Sequence, residues 1–230
     1  MIVGHPAREG RGNLPATGRH MQDARQRVES RLALAGLRVS EHQVAQLVGY
    51  LTLLYKWNDR MNLTALDDPD LAVDRLIVEP TIAAAQIDGG ARTLVDVGSG
   101  GGSPAIPLKI ARPDLDLTMI EVKTRKSVFL REVARHLDLK GCVVETSRFE
   151  AVLSRHTFQG CVDVVSIRAV RADAGQLRLF GDALSPGGQQ LWFLSGAQGV
   201  PDVPPPLAVE RDVPLVSALQ SHLVIIRKVG

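Results

Sequence analysis

The sequence predicts an α/β protein, with a mostly parallel sheet covered by helices on both faces and a helical segment ahead of it. Three observations predict this. Up to about residue 90, apolar residues recur at helical spacing; after Gly90, short apolar runs alternate with helical stretches; and the last apolar run follows a proline-rich connection that holds no helix. Strand–helix alternation at this spacing implies parallel crossovers and a sheet buried on both sides. The 230 residues, 45% of them apolar, suffice for one sizeable core.

Residues 1–20 are rich in Gly, Pro and Arg without periodicity, and are expected to form a disordered tail. A helical pattern opens at Met21, which makes that residue a candidate start site. Ser40 followed by Gln43 is a capping-box pattern. Behind it Val44, Leu47, Val48, Leu51 and Leu54 form the apolar face of a helix running to about Trp57. A third helical stretch spans about 69–87, so 21–90 is expected to be an N-terminal helical subdomain closed by the turn Asp88-Gly89-Gly90. The second domain is then 91–230. Its strands are predicted at 92–97, 115–121, 142–146, 161–167, 188–194 and 222–228, with a weaker one near 207–213; its helices at 107–112, 124–138 and 173–184. The final segment, HLVIIRK, is expected to run antiparallel, because the connection through Pro201, Pro204, Pro205, Pro206 and Pro214 lacks a crossover helix.

Composition narrows the function. No run approaches the roughly 18 apolar residues of a membrane span, and the first 20 residues lack the apolar core of a secretory signal. Cys142 and Cys161 make neither a disulfide framework nor a metal cluster, and the six histidines show no ligand spacing. A soluble cytoplasmic protein, monomeric, with no metal and no membrane partner, is expected. The net charge is +2, but residues 1–31 hold six Arg against Glu9, Asp23 and Glu29. A basic arm that touches phosphates is one explanation, and a solvated tail the other.

The richest stretch is LVDVGSGGGSPAIPLKIA, residues 94–111, with glycines at 98, 100, 101 and 102. In an open parallel sheet, ligands bind beyond the carboxyl ends of the strands, where the strand order reverses, and the first strand ends here. Bare backbone lets N–H groups approach a ligand closely. Pro104 or Pro107 marks the start of the following helix, whose N-terminus favours an anionic ligand group. A dinucleotide site wants Gly-x-Gly-x-x-Gly, yet the sixth position is Ser103. An S-adenosylmethionine site wants an acid and then Gly-x-Gly-x-Gly, the order Asp96, Gly98, Gly100, Gly102. In either layout an acid closing the second strand binds ribose hydroxyls, and Glu121 stands there.

Six ordered stretches then resemble the bacterial small-subunit ribosomal RNA guanine-N7 methyltransferases, the RsmG or GidB family. They are LLYKWNDRMNLTAL (53–66), VDVGSGGGSPAIPLKIARPDL, RKSVFLREV (125–133), SRFE (147–150), DVVSIRAV (163–170) and the terminal HLVIIRK. The resemblance implies a Rossmann-like, seven-stranded methyltransferase sheet and an enzyme that methylates guanine N7 in 16S rRNA with S-adenosylmethionine. Its partner would be small-subunit rRNA, free or in an assembling particle, and not DNA. It implies that Gly98 and Ser103 bind the cofactor, that Phe149 and Glu150 sit beside the adenine, and that Arg168 lines the cofactor or guanine pocket. Gly100 and Glu121 join this set from the loop pattern and the strand-end argument.

Three positions depart from the family pattern: Leu76 where His is common after the arginine, Ser195 where Lys precedes Gly, and Ile167 before Arg168. They leave two alternatives: the same fold acting on a small molecule or protein, or a non-catalytic cofactor- or RNA-binding relative. Guanine N7 already exposes a lone pair, so its methylation needs alignment and a dry site but no acid/base residue, and none is assigned. An amino-group enzyme would instead want an Asn/Asp-Pro-Pro-aromatic turn after the fourth strand, where this chain has Ser166-Ile167-Arg168.

Overall fold

Five short, apolar strands set the frame: β1 (Thr93–Val97), β2 (Asp116–Ile120), β3 (Cys142–Glu145), β4 (Val162–Arg168) and β5 (Leu184–Ser195). They lie parallel, and β7 (Ser221–Lys228) returns antiparallel between β5 and β6 (Leu207–Pro214), giving the order β3-β2-β1-β4-β5-β7-β6. The computed structural model describes residues 18–229 apart from 62, 64, 65, 67, 171, 172, 197, 198, 200 and 201. The expected tail lies outside the described residues except for 18–20, which open the first helix. All seven expected strands are present, and the last is antiparallel as its connection required. The order reverses between β1 and β4, so a ligand crevice belongs at their carboxyl ends.

The helices follow the apolar stripes. α1 (Gly18–Leu34) and α2 (Glu41–Met61) pair through Val28, Leu32, Leu47 and Leu51, all buried. The capping box at Ser40 is formed, with the Gln43 N–H donating to Ser40 Oγ and the Ser40 N–H donating to Gln43 Oε1. α2 runs one turn past the expected Trp57 to Met61. Stretch 69–87 is subdivided into α3 (Pro69–Val73), a π turn (Asp74–Val78) and α4 (Glu79–Ala84). Pro80 explains the widened turn: it has no N–H to give to the turn before it. On the sheet lie α5 (Ala105–Ala111), α6 (Thr124–His136), α7 (Phe149–Leu153) and α8 (Ala174–Ala183). α7 was not expected, because five residues are too few for a helical period to show. Among the described residues no helix is long and apolar enough to cross a membrane.

Strand alternation divides the core in two. Leu94 of β1 and Val164 of β4 face the side covered by α1–α6, whereas Val95, Val97, Val165 and Ile167 face α7 and α8. By the same period Asp96, Ser166 and Arg168 point towards the helical layer. That layer is bolted to the turn after β1. Gln43 Nε2 donates to the Ile110 carbonyl and Gln46 Nε2 to the Leu137 carbonyl, each at 2.9 Å, holding α2 across α5 and α6. The buried Tyr50 hydroxyl donates to the Gly101 carbonyl at 2.8 Å.

Gly102 answers to this packing rather than to a ligand. Its φ is +91°, and a Cβ there would lie 2.9 Å from Ile106 Cγ1 and 3.2 Å from Leu130 Cδ2. Gly102→Ala is therefore expected to lower folding stability by about 1–3 kcal/mol, read from urea denaturation of the cofactor-free protein. An unchanged midpoint would show that the turn relaxes freely.

Candidate functional site

The turn after β1 is tied to the end of β2 by main-chain bonds. The Gly98 and Ser99 N–H groups both donate to the Ile120 carbonyl, at 2.9 and 3.0 Å. The next residue, Glu121, is buried, and its carboxylate is fixed on both oxygens: the Gly100 N–H donates to Oε2 at 2.9 Å and the Lys123 N–H to Oε1 at 2.7 Å. Gly98 has φ +71°, which glycine alone adopts without strain. Around it opens a cleft of about 360 Å³, in the range of small-molecule sites, lined among others by Gly98, Ile120, Glu121, Val122, Phe149 and Glu150. Phe149 is backed by a tilted aromatic row: its ring lies 5.5 Å from that of Phe180, which lies 6.1 Å from Trp192. Four of the seven residues expected at the cofactor thus share one cleft, and Gly100 meets it through Glu121.

Ser103 and Arg168 lie elsewhere. Both belong to a buried seam between β4 and the helical layer. Arg168 Nη1 donates to the Arg75 carbonyl at 2.5 Å and to Ser103 Oγ at 3.2 Å, and Nη2 donates to Glu79 Oε2 at 2.7 Å. The guanidinium also rides 4.4 Å above the Phe193 ring centroid. Ser103 Oγ donates to the Leu76 carbonyl at 3.0 Å. Two causes bring these residues here. Arg168 falls on the strand face opposite Ile167, so it points away from the Phe149 side, and Pro80 leaves the carbonyls of the π turn open to side-chain donors. Arg75 completes the seam, with Nη1 on Glu79 Oε1 at 3.2 Å and Nη2 donating to Ser195 Oγ at 2.6 Å.

Asp96 stands on the same strand face. Ser166 Oγ donates to its Oδ1 at 2.5 Å, while Oδ2 is buried with no protein partner. Burial pushes this carboxyl up to about 6, against the pull of the Ser166 hydroxyl and of Arg168. Arg168 is lowered to about 10, burial again leading and Glu79 opposing it, so the guanidinium stays charged at neutral pH.

Comparison with known proteins decides the family. Residues 43–199 match the family model described as rRNA small subunit methyltransferase G. A protein of that name from Neisseria meningitidis serogroup C is 33% identical over 216 residues, covering 90% of this chain and 99% of its own. Another, from Xanthomonas axonopodis pv. citri, is 37% identical over 190 residues, covering 80% and 86%. The chain belongs to the rRNA small subunit methyltransferase G family. Solved structures agree on the fold. A SAM-dependent methyltransferase from Aquifex aeolicus superposes with TM-score 0.55 at 17% identity, over 73% of this chain and 97% of its own. The mitomycin 7-O-methyltransferase MmcR gives 0.53 at 21%, over 89% and 67%.

Within this family member, Glu79 and the open carbonyl of Arg75 are functional-site neighbours that sequence reasoning did not single out. A signal existed: Glu79 lies four residues after Arg75 in an otherwise apolar stretch, a spacing that pairs charges on a helix. Trp57 is partly buried against Phe129 at 5.7 Å, Trp192 is buried, and burial raises the Cys142 thiol to about 11. Among the described residues no group of His, Cys, Asp and Glu could hold a metal.

Glu79→Ala would strand the Arg168 charge in the seam beside Arg75, and is expected to cost about 3–5 kcal/mol in chemical denaturation. A loss below about 1 kcal/mol, the value for an exposed pair, would refute the seam. Asp96 gives a pH signature of defined sign. Its folded pKa lies above the unfolded 3.8, so its contribution is full below about pH 4 and disappears as pH rises to about 6. Relative to Asp96→Asn, the cofactor-free protein should lose up to about 3 kcal/mol across that window. Parallel stability–pH curves would contradict the shift.

Proposed function

We infer that this protein transfers the methyl group of S-adenosylmethionine to N7 of a guanine in the 16S rRNA of the small ribosomal subunit. Family membership supplies the RNA and the reaction class, and the cleft at the strand ends carries the inference for this chain. Its donor set fits the cofactor. The Glu121 carboxylate, fixed at the end of β2, suits vicinal ribose hydroxyls. Ile120, Val122 and Phe149 give apolar walls for a purine, and Gly98 keeps the floor free of a side chain. When bound, S-adenosylmethionine supplies a methyl group on a positively charged sulfur, which leaves as a neutral thioether.

The protein's own share is then positioning and exclusion of water. Tyr50, Glu121 and the main chain of β2 hold the turn rigid, so little reorganisation is left for the moment of reaction. A guanine N7 nucleophile carries a free lone pair and gives up no proton. No residue is asked to act as general base.

The test is direct. Purified protein, methyl-labelled S-adenosylmethionine and small subunits from a strain lacking the gene should yield labelled N7-methylguanosine after nucleoside digestion. Glu121→Ala should bind the cofactor about 10- to 100-fold more weakly by calorimetry and transfer correspondingly less label. Label in any other nucleoside, or none with the wild-type protein, would overturn the assignment.

A further inference from the structure

The cations of this protein are not distributed evenly between paired and unpaired. Away from the cleft many meet acids, among them Arg27 with Asp70, Arg112 with Asp114, Arg155 with Glu145 and Arg227 with Asp88, at 2.7 to 2.9 Å, and exceptions among the described residues, such as Arg38, Lys56 and Arg178, are scattered in sequence. Around the cleft mouth the unpaired ones are clustered. Residues 122–131 contain Lys123, Arg125, Lys126 and Arg131 and no acid. Among the described residues Lys123, Arg125, Lys126 and Arg148 have no acidic partner, while Arg131 donates to the Val144 carbonyl and the Thr146 hydroxyl. Arg131 thereby draws the start of the 146–148 turn against α6, so the two basic segments are neighbours.

These charges edge the cofactor cleft itself. Val122, 58% exposed, and Arg148 both line it. Lys126 Nζ comes within 4.0 Å of where a Cβ on Gly100 would stand. Two acids line the cleft: Glu121 is buried with both oxygens taken by main-chain N–H groups, and the exposed Glu150 forms no ion pair with these cations, so the rim keeps an excess of positive charge. The placement is also unfavourable for the fold alone. α6 has no acid in its first turn and no side-chain cap, and Lys123, Arg125 and Lys126 add their charge to the positive end of its dipole. Like charges concentrated without partners destabilise a compact state and raise a field that attracts anions.

We propose that this rim, the first turn of α6 with the 146–148 turn beside it, receives the ribose-phosphate chain of the RNA next to the nucleotide being methylated. The proposal rests on the rRNA assignment above. Regularly spaced phosphates match several separated, solvent-facing cations better than one small anion does, and the rim leads straight into the cleft where the methyl donor is bound. The exposed Val122 offers an apolar shelf between charges for a ribose or base.

The test uses the full-length protein and a transcribed small-subunit rRNA in a salt series of about 50 to 200 mM. Arg125→Gln with Lys126→Gln removes two rim charges and leaves Lys123, whose main-chain N–H holds Glu121, in place. RNA affinity should fall roughly tenfold, and the slope of log affinity against log salt should shrink by about 1.4 to 1.8. Calorimetry should show S-adenosylmethionine binding unchanged, which also verifies folding. Arg211→Gln, on β6 at the opposite edge of the sheet, should leave both measurements unaltered. A double variant with wild-type affinity and slope would overturn the rim while leaving the rRNA assignment standing. A wild-type protein that neither binds nor methylates the RNA would overturn both.

Discussion

A turn held from two sides is the constraint on which this structure depends. From the sheet, Glu121 takes the Gly100 N–H; from the helical layer, Tyr50 gives its hydroxyl to the Gly101 carbonyl. Adjacent residues are thus anchored to two different layers, and the turn can shift only if one layer moves. The glycines divide accordingly. Gly98 lines the cleft and Gly100 gives its N–H to Glu121 beside it, whereas Gly101 lies against Leu54 and the Leu63 carbonyl, and Gly102 against Ile106 and Leu130. A glycine-rich loop after a first strand is therefore two devices in one: bare backbone towards the ligand, and close approach towards the protein. Helical residues that never enter the cleft still determine its floor.

The second layer contact is electrostatic and begins with a proline. Pro80 has no N–H for the preceding turn, which opens into π geometry, and the Arg75 and Leu76 carbonyls face the sheet. Ser103 and Arg168 occupy them. Glu79, fully buried, then sits between two guanidiniums, and Asp96 lies close enough to be felt by Arg168. Two arginines and two acids balance across a seam that joins α4, the turn after β1, and the ends of β4 and β5. Such a seam gives geometry more than stability: each charge demands a partner in place, so the helical layer has one acceptable position on the sheet.

Much of this was legible in the chain because period and punctuation are strong where elements are long or glycine-marked. The alternation after Gly90 located seven strands, and the acid-then-glycine order pointed to the crevice between β1 and β4. Glu121 was singled out by its place at the end of β2, and it lines the cleft. What stayed hidden depended on contacts distant in sequence. α7 is shorter than two helical turns. The π turn has no periodic signature, only a proline whose consequence appears five residues earlier. Arg168 was assigned to the pocket by resemblance, but the direction of its side chain follows from strand parity, which becomes decisive only once the helical layer is known to cover that face.

Parity also changes the meaning of two of the three departures from the family pattern. Leu76 and Ser195 are far apart in sequence, yet both lie on the seam: the Leu76 carbonyl accepts from Ser103, and Ser195 Oγ accepts from Arg75. A cationic residue at 195 would place a third positive charge beside Arg75 and Arg168, with Glu79 already shared between them. A serine there accepts a hydrogen bond from Arg75 and adds no charge, so the seam stays balanced when Asp96 is ionised. With Leu76, the side chain is buried and only its main chain is used, so an imidazole is dispensable for holding Ser103. Both substitutions are thereby compatible with an intact cleft on the opposite strand face. Away from this seam, the cations clustered at the cleft mouth keep no acidic partner among the described residues, and it is there that we have proposed the RNA chain to run.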